Sequence, residues 1–250
     1  MQSNVGEGGQ MSYPGGKGSS GTAQQIINCM PPHERYIECF LGAGTIMRIK
    51  KPAMVNIGID ADKKPITTYQ RKENEILLCT DTLSYLEEFE HESCESTLIY
   101  ADPPYLPATL RRPKGSTRNS QRYKVKFGVE AHQRLLEIAN TLKCRVMISG
   151  YASAMYDREL VAPKWTRKTF KASTRNGMKQ EVLWMNFDPT AIAERHDYKF
   201  IGDTFRRREV WKKRRQTIER KFDKLSMVEQ SAMLELLQSR RKSPTCGVTL

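Results

Sequence analysis

No stretch of this chain approaches the roughly 18 consecutive apolar residues that a bilayer span needs. Its first residues, Met1-Gln2-Ser3-Asn4-Val5, lack the basic-then-apolar pattern of a secretory signal. Residues 1–11 are read as a disordered lead, and the protein is expected in the cytoplasm of a bacterial or phage-infected cell, with no membrane partner. The six cysteines, at 29, 39, 79, 94, 144 and 246, nowhere take Cys-x-x-Cys spacing, which argues against a zinc site or a disulfide framework. Several fall in apolar segments and are expected to be buried, reduced thiols. The four histidines are scattered, so no metal centre is expected. No repeat at solenoid spacing is visible. Acids are also scarce: 28 Asp and Glu against 41 Lys and Arg leave a net charge of +13. A balance this basic points to a polyanion, most often nucleic acid, although charge alone leaves an anionic membrane surface open.

What the chain does have is an alternation of strand and helix patterns. A Gly-rich loop, Tyr13-Pro14-Gly15-Gly16-Lys17-Gly18, precedes a predicted helix over 21–30 that Pro31-Pro32 ends. Strands are predicted at Tyr36–Phe40, Val55–Ile59, Ile76–Cys79, Ser96–Ala101, Arg145–Ser149 and Gln180–Asn186. Helices are predicted around Pro65–Arg71, Leu83–Phe89 and Val129–Leu142, the last from the spacing of Leu135, Ile138, Ala139 and Leu142. The pattern implies an α/β fold with a mainly parallel, Rossmann-like sheet spanning residues 12–188. Ligands of such sheets bind beyond the carboxyl ends of the strands. Phe40, Asp60, Asp81 and Asp102 all fall at such ends. From residue 189 to 250 a basic extension follows. Trp211, Ile218, Phe222 and Leu225 recur at helical spacing, and Ser226-Met227-Val228-Glu229 reads as a capping box, so a helical pair is expected.

Four motifs carry chemistry. Gly42-Ala43-Gly44 after a strand allows close backbone approach to a ligand and turns helix-start N–H groups towards it. The dinucleotide fingerprint wants a third glycine three residues on, where Met47 stands, so a smaller nucleoside cofactor fits better than a dinucleotide. Asp60 can accept from ribose hydroxyls or cap a helix. Asp81 can bind an adenine amine or serve as a cap. Tyr13 and Lys17 flank a turn that can fold over a ligand, the ammonium pairing with a carboxylate. Asp102-Pro103-Pro104-Tyr105 supplies a fixed acceptor, a held carbonyl and a stacking ring, a pocket for a planar base bearing an exocyclic amine.

Taken in order, Tyr-Pro-Gly-Gly-Lys, Glu-Cys-Phe-Leu-Gly-Ala-Gly-Thr, Gly-Ile-Asp-Ala-Asp and Ala-Asp-Pro-Pro-Tyr resemble the motifs of Dam-like DNA adenine-N6 methyltransferases. Ile148-Ser149-Gly150-Tyr151 and Glu181–Asn186 resemble later motifs of that family, as does the spacing from Tyr123 and Phe127 to His132-Gln133. The resemblance covers about Ser12 to Asp188. It implies S-adenosylmethionine (SAM) as methyl donor and a flipped adenine in double-stranded DNA as substrate. Tyr13, Lys17, Asp60 and Asp102 match cofactor-contact positions; Asp102, Pro103, Pro104 and Tyr105 match the catalytic motif. Rival expectations are an RNA adenine methyltransferase, a cytosine-N4 enzyme, or a non-catalytic DNA-binding or SAM-sensing protein of the same fold.

One family feature is missing. Too few residues separate Asp81 from Leu98 for the usual target-recognition insert. Recognition is therefore expected in Leu106–Phe127, which holds Arg111, Arg112, Lys114, Arg118, Arg122, Lys124 and Lys126 and no acid. The basic tail is the second candidate. A small enzyme of this plan points to a phage or prophage origin.

Overall fold

In a computed structural model, the described residues are 17, 21–89, 96–106, 109, 127–174 and 177–242. The chain divides into two compact units, one running to Tyr198 and one from Lys199.

The first unit alternates as its apolar pattern predicts. Helix α1 (Thr22–Ile27) leads into strand β1 (Arg35–Cys39), α2 (Thr45–Ile49), β2 (Val55–Asp60), α3 (Lys63–Thr68), β3 (Glu75–Cys79), α4 (Thr82–Phe89) and β4 (Thr97–Ala101). Then come α5 (Val129–Thr141), β5 (Arg145–Gly150), α6 (Ala154–Glu159), β6 (Thr166–Thr174) and β7 (Gly177–Met185). The strands form one sheet in the order β3-β2-β1-β4-β5-β7-β6. The first five are parallel; β7 runs antiparallel to both β5 and β6. This is a Rossmann-like sheet, with the order reversing between β1 and β4. At that reversal the connections leave towards opposite faces and open a crevice.

Burial explains the central strands. All of Thr97–Ala101 is buried, as a strand covered on both faces requires. The core joins Ile37, Ile59, Ile99, Ile148 and Trp184 from the sheet to Leu83 and Leu86 of α4 and to Leu135, Leu136 and Ala139 of α5. Gly58 has no room for a side chain, because an added Cβ would lie 3.0 Å from Leu41 and Leu77. Residues 189–198 return to this unit: the His196 amide donates to the Met30 carbonyl, and the Lys51 amide donates to Asp197.

Two elements depart from expectation. Strand β6, with the sequence TRKTFKAST, is too polar to read as a strand, and α6 is only six residues long. Among the described residues no thiol is in a disulfide; Cys29, Cys39 and Cys144 are buried, but Cys79 is exposed at the end of β3. The histidines are not all scattered in space: the His33 and His196 rings stack with centroids 3.6 Å apart.

The second unit is a helical pair, α7 (Phe205–Phe222) and α8 (Met227–Lys242). Thr204 caps α7, its hydroxyl accepting from the Arg207 amide. The Ser226–Glu229 box closes reciprocally: the Ser226 amide donates to Glu229 Oε2 at 2.8 Å and the Glu229 amide to Ser226 Oγ at 3.4 Å. Ile218 is exposed, as are Leu234 and Leu237. No described helix is long and apolar enough to cross a membrane.

Candidate active site

The carboxyl ends of β1, β2, β4 and β5 and the inner part of β7 bring polar side chains together. Their centre is Lys17. Its side chain is only 4% exposed, and its ammonium lies 2.7 Å from Asp102 Oδ1 and 2.6 Å from Glu181 Oε1. Burial pulls the lysine's pKa down, but the two carboxylates outweigh it and leave it well above the ordinary value. The expected pairing of Lys17 with a carboxylate is thus met by the chain's own acids.

Asp102 follows β4 directly. Its Oδ1 accepts from Lys17 and, at 2.9 Å, from Ser149 Oγ at the end of β5. Ser149 spends its one proton there, so the Tyr100 hydroxyl, 2.9 Å away, donates to Ser149. This relay fixes one oxygen of Asp102. No described residue donates to the other, Oδ2, and the side chain is 21% exposed. Among the described residues, Asp102 therefore has one held and one open acceptor.

Tyr105 is fixed by its hydroxyl and by one face. The hydroxyl accepts from Lys17 at 3.2 Å and donates to Glu181 at 3.3 Å. Tyr151 stacks on the ring at 4.2 Å, nearly parallel at 21°, which leaves at most one face for a planar ligand. Pro103 is buried and Pro104 half-buried. Behind them, α5 supplies His132, whose Nδ1 lies 2.8 Å from the Tyr156 hydroxyl; burial lowers its pKa to about 4, so the ring is neutral.

The glycine loop after β1 is shaped by internal bonds. Phe40 takes φ 60°, a left-handed conformation uncommon for a bulky residue, at the turn into the loop. Its ring packs edge-on against Phe127 at 5.0 Å. Asp60 bridges the loop to β2: Oδ2 accepts from the Gly42 amide at 2.9 Å and Oδ1 from the Asp62 amide at 2.8 Å. Asp62, not Asp60, caps α3. Burial raises the Asp60 pKa, and the two amide bonds oppose it. Each Asp60 oxygen keeps an acceptor position for a ligand. A Cβ at Gly44 would sit 2.4 Å from the Tyr69 ring, so this glycine makes room for the protein's own aromatic. Asp81 is a helix cap, its Oδ1 accepting from the Ser84 amide and hydroxyl.

Tyr13 lies outside the described residues, as do Arg111, Arg112, Lys114, Arg118, Arg122, Lys124 and Lys126.

Glu181 and Ser149 were not singled out in the sequence for any role, although both stand in recognised motifs. Glu181 is 2% exposed and its pKa is raised by burial against the pull of Lys17. Its signal was hidden in strand direction. Because β7 runs antiparallel, residues near its start, not its end, face the carboxyl ends of the parallel strands. Glu38 is a further buried acid. It accepts from Tyr36 at 2.9 Å and from the Met47 amide at 2.7 Å, bracing the start of α2; burial raises its pKa to about 8.

No protein-family model and no curated protein matches the sequence. Solved structures do resemble it. SMU.776 in complex with SAH aligns at a TM-score of 0.46 and 13% identity over 66% of this chain. An O-methyltransferase from Bacillus cereus in complex with SAH aligns at 0.44 and 11%, covering 70% of this chain and 84% of that one. A SAM-dependent methyltransferase from Agrobacterium tumefaciens aligns at 0.42 and 13%, covering 67% of this chain and 59% of that one. The chain spans about half of SMU.776, 49% of its length. At these TM-scores the likenesses carry no weight in the choice of ligand or substrate.

Proposed function

We propose that this protein is a SAM-dependent methyltransferase acting on the N6 amine of adenine in DNA. One observation carries the reading: Asp102 is held by Lys17 and Ser149 through Oδ1, while no described residue donates to Oδ2, beside the tethered Tyr105 ring. An amine conjugated with a purine ring is a poor nucleophile because its lone pair is delocalised. Two neighbouring acceptors, Asp102 Oδ2 and the Pro103 carbonyl, would each take one N6–H and turn the lone pair out of the ring plane. Alignment of this kind, with electrostatics that need no rearrangement, is the larger part of catalysis when the leaving group is already activated. The base stacks on the one face that Tyr151 leaves to Tyr105, having left the duplex to do so.

The residues present fit a nucleoside sulfonium. The Gly42 loop and the remaining acceptor positions of Asp60 suit ribose hydroxyls, and the acidic set of Asp102 and Glu181 suits a positive centre. When bound, SAM supplies a methyl group on a good leaving group. Asp102 Oδ2 would also be the acceptor for the proton released as the methylamine forms. The acid-free segment Leu106–Phe127 and the basic α7, with nine Lys and Arg against two Glu, are the proposed DNA contacts.

The test is incubation with methyl-labelled SAM and, separately, duplex DNA, single-stranded DNA and structured RNA, followed by nucleoside analysis. N6-methyldeoxyadenosine from DNA is the expected product. Label in RNA adenine alone moves the substrate to RNA; label in cytosine overturns the assignment to adenine; no label in any nucleic acid overturns the reading.

A further inference from the structure

Resting on the proposed function, we propose that the β6–β7 hairpin carries a phosphate contact for the strand that delivers the target base, with Lys179 as its anchor. The hairpin reaches past the sheet. Strand β5 stops pairing with β7 at Val182, whereas β6 and β7 stay paired outward to Thr174 and Gly177. The outer half is thus a two-stranded ribbon at the same end of the sheet as Asp102. From Leu160 to Gln180 the sequence holds Lys164, Arg167, Lys168, Lys171, Arg175 and Lys179 and no acid. The acid that follows, Glu181, is buried against Lys17 and neutralises none of them.

The cations of the hairpin are not equivalent. Arg167 lies 3.6 Å from Asp157, and Lys168 reaches Cys29 Sγ at 3.7 Å, so both are engaged within the unit. Arg175 lies outside the described residues. Side chains alternate across a strand, so Lys179 shares its face with Glu181, the face that looks onto the site. Lys171 pairs in register with Gln180 and belongs to the opposite face. The Lys179 ammonium sits 4.8 Å from the centroid of the Tyr151 ring, which in turn stacks on Tyr105. The three form a ladder of ammonium, ring and ring that ends beside Asp102.

Lysines on an exposed ribbon often serve only to block edge-to-edge pairing, and such lysines point into water. Lys179 instead lies over an aromatic of the site. A base stacked on Tyr105 carries its sugar and phosphate to the rim of the same stack. An ammonium fixed there meets the phosphate as a point charge, the usual role of lysine towards a nucleic-acid backbone.

Binding of a fluorescein-labelled DNA duplex with one unpaired adenine, followed by anisotropy across a salt series, tests this. Lys179→Gln is expected to lower affinity and to reduce the log–log salt slope by about 0.9, the value for one lost phosphate contact in duplex DNA. Lys179→Arg should restore the slope, and Lys171→Gln, on the other face, should leave it at the wild-type value. Calorimetric SAM affinity equal to wild type in all three variants shows that the fold and donor site are intact. An unchanged slope in Lys179→Gln, or an equal loss in Lys171→Gln, overturns the anchor. A wild-type protein that binds this DNA but transfers no methyl group overturns the proposed function, and the slope comparison still decides the anchor. A wild-type protein that binds no DNA overturns both.

Discussion

Two buried polar clusters sit at opposite ends of one sheet, and they are built differently. At the amino end, Asn56 is spent on the fold: its Oδ1 accepts from Lys50 and the Ala53 amide, and its Nδ2 donates to the Ala53 and Asn74 carbonyls. The Lys50 ammonium also lies 4.1 Å from the centre of the Tyr36 ring and donates to the Lys51 carbonyl. At the carboxyl end, Lys17, Asp102, Glu181 and Tyr105 are as closely bonded among themselves, yet Asp102 keeps an oxygen that no described residue uses. The first cluster is closed and the second is open on one side. Both satisfy the rule that buried polar groups be paired; in the open one, the described residues leave one Asp102 oxygen unpaired. That difference, more than the presence of charge, marks the candidate site.

The comparison breaks first at Asp102. Asp102→Ala removes both the held and the open acceptor, and methyl transfer in a labelled-donor assay is expected to fall by at least about 10²-fold, the scale of losing one preorganised electrostatic contact. Wild-type turnover in this variant would return Asp102 to a structural role.

Glu181→Gln should come next. The glutamine keeps the shape but leaves Lys17 with a single carboxylate partner. Turnover is expected to drop about tenfold or more while the urea midpoint moves little, because an amide of equal volume still accepts from Lys17. The reverse outcome, lost stability with unchanged turnover, would make Glu181 a brace like those at the amino end.

Asn56→Ala is the mirror experiment. Four hydrogen bonds go and several buried groups lose their partners, so unfolding free energy should fall by about 2–4 kcal/mol. Activity per folded molecule should stay at the wild-type level. A drop in activity at constant folded fraction would erase the division of labour between the two ends.

The smallest effect concerns pH. Burial, with His196 and Lys50 nearby, lowers the His33 pKa from 6.5 to about 2. The His33 Nδ1 is 2.8 Å from the Pro31 carbonyl, and Nε2 has no partner among the described residues, so a second proton there would be buried and unsatisfied by them. Below pH 6.5 the unfolded chain takes up a proton that the folded one refuses, so stability attributable to His33 is lost as pH falls. His33→Phe should be less stable than wild type at pH 7, and the gap should narrow by about 2 kcal/mol by pH 5. Glu38 has the opposite sign. Its pKa rises from 4.5 to about 8, so the folded state holds a proton that the unfolded state releases, and wild type should lose ground to Glu38→Gln as pH rises through that window. Urea midpoints at four pH values check both; parallel curves for variant and wild type would contradict the assigned burial.

Much of the fold was legible because the central strands are buried on both faces and read as continuous apolar runs. Leu98-Ile99-Tyr100-Ala101 could be little else. Strand β6 was not legible, since Thr166–Thr174 is an edge strand that carries Arg167, Lys168 and Lys171, and polarity hides the period. The site was legible where position follows from chain direction: Asp60 and Asp102 end parallel strands, and Lys17 precedes the first helix with a charge that needs a partner. Glu181 was not, because its place follows from β7 running backwards, a property of topology and not of local sequence. Asp81 shows the opposite limit. It follows β3 by two residues, and Ser84 three residues on donates to it as to a cap; the two duties look alike until the hydrogen bonds are known.

The site around Lys17 also has an uneven charge. One ammonium stands between two carboxyl groups, and with both ionised a single negative charge is left over in surroundings that screen it poorly. A pocket of this kind distinguishes ligands of identical outline by charge alone. Under the proposed function, such a pocket would retain a positively charged donor more firmly than the neutral thioether left once the methyl group has gone, so the spent donor would be the more weakly held.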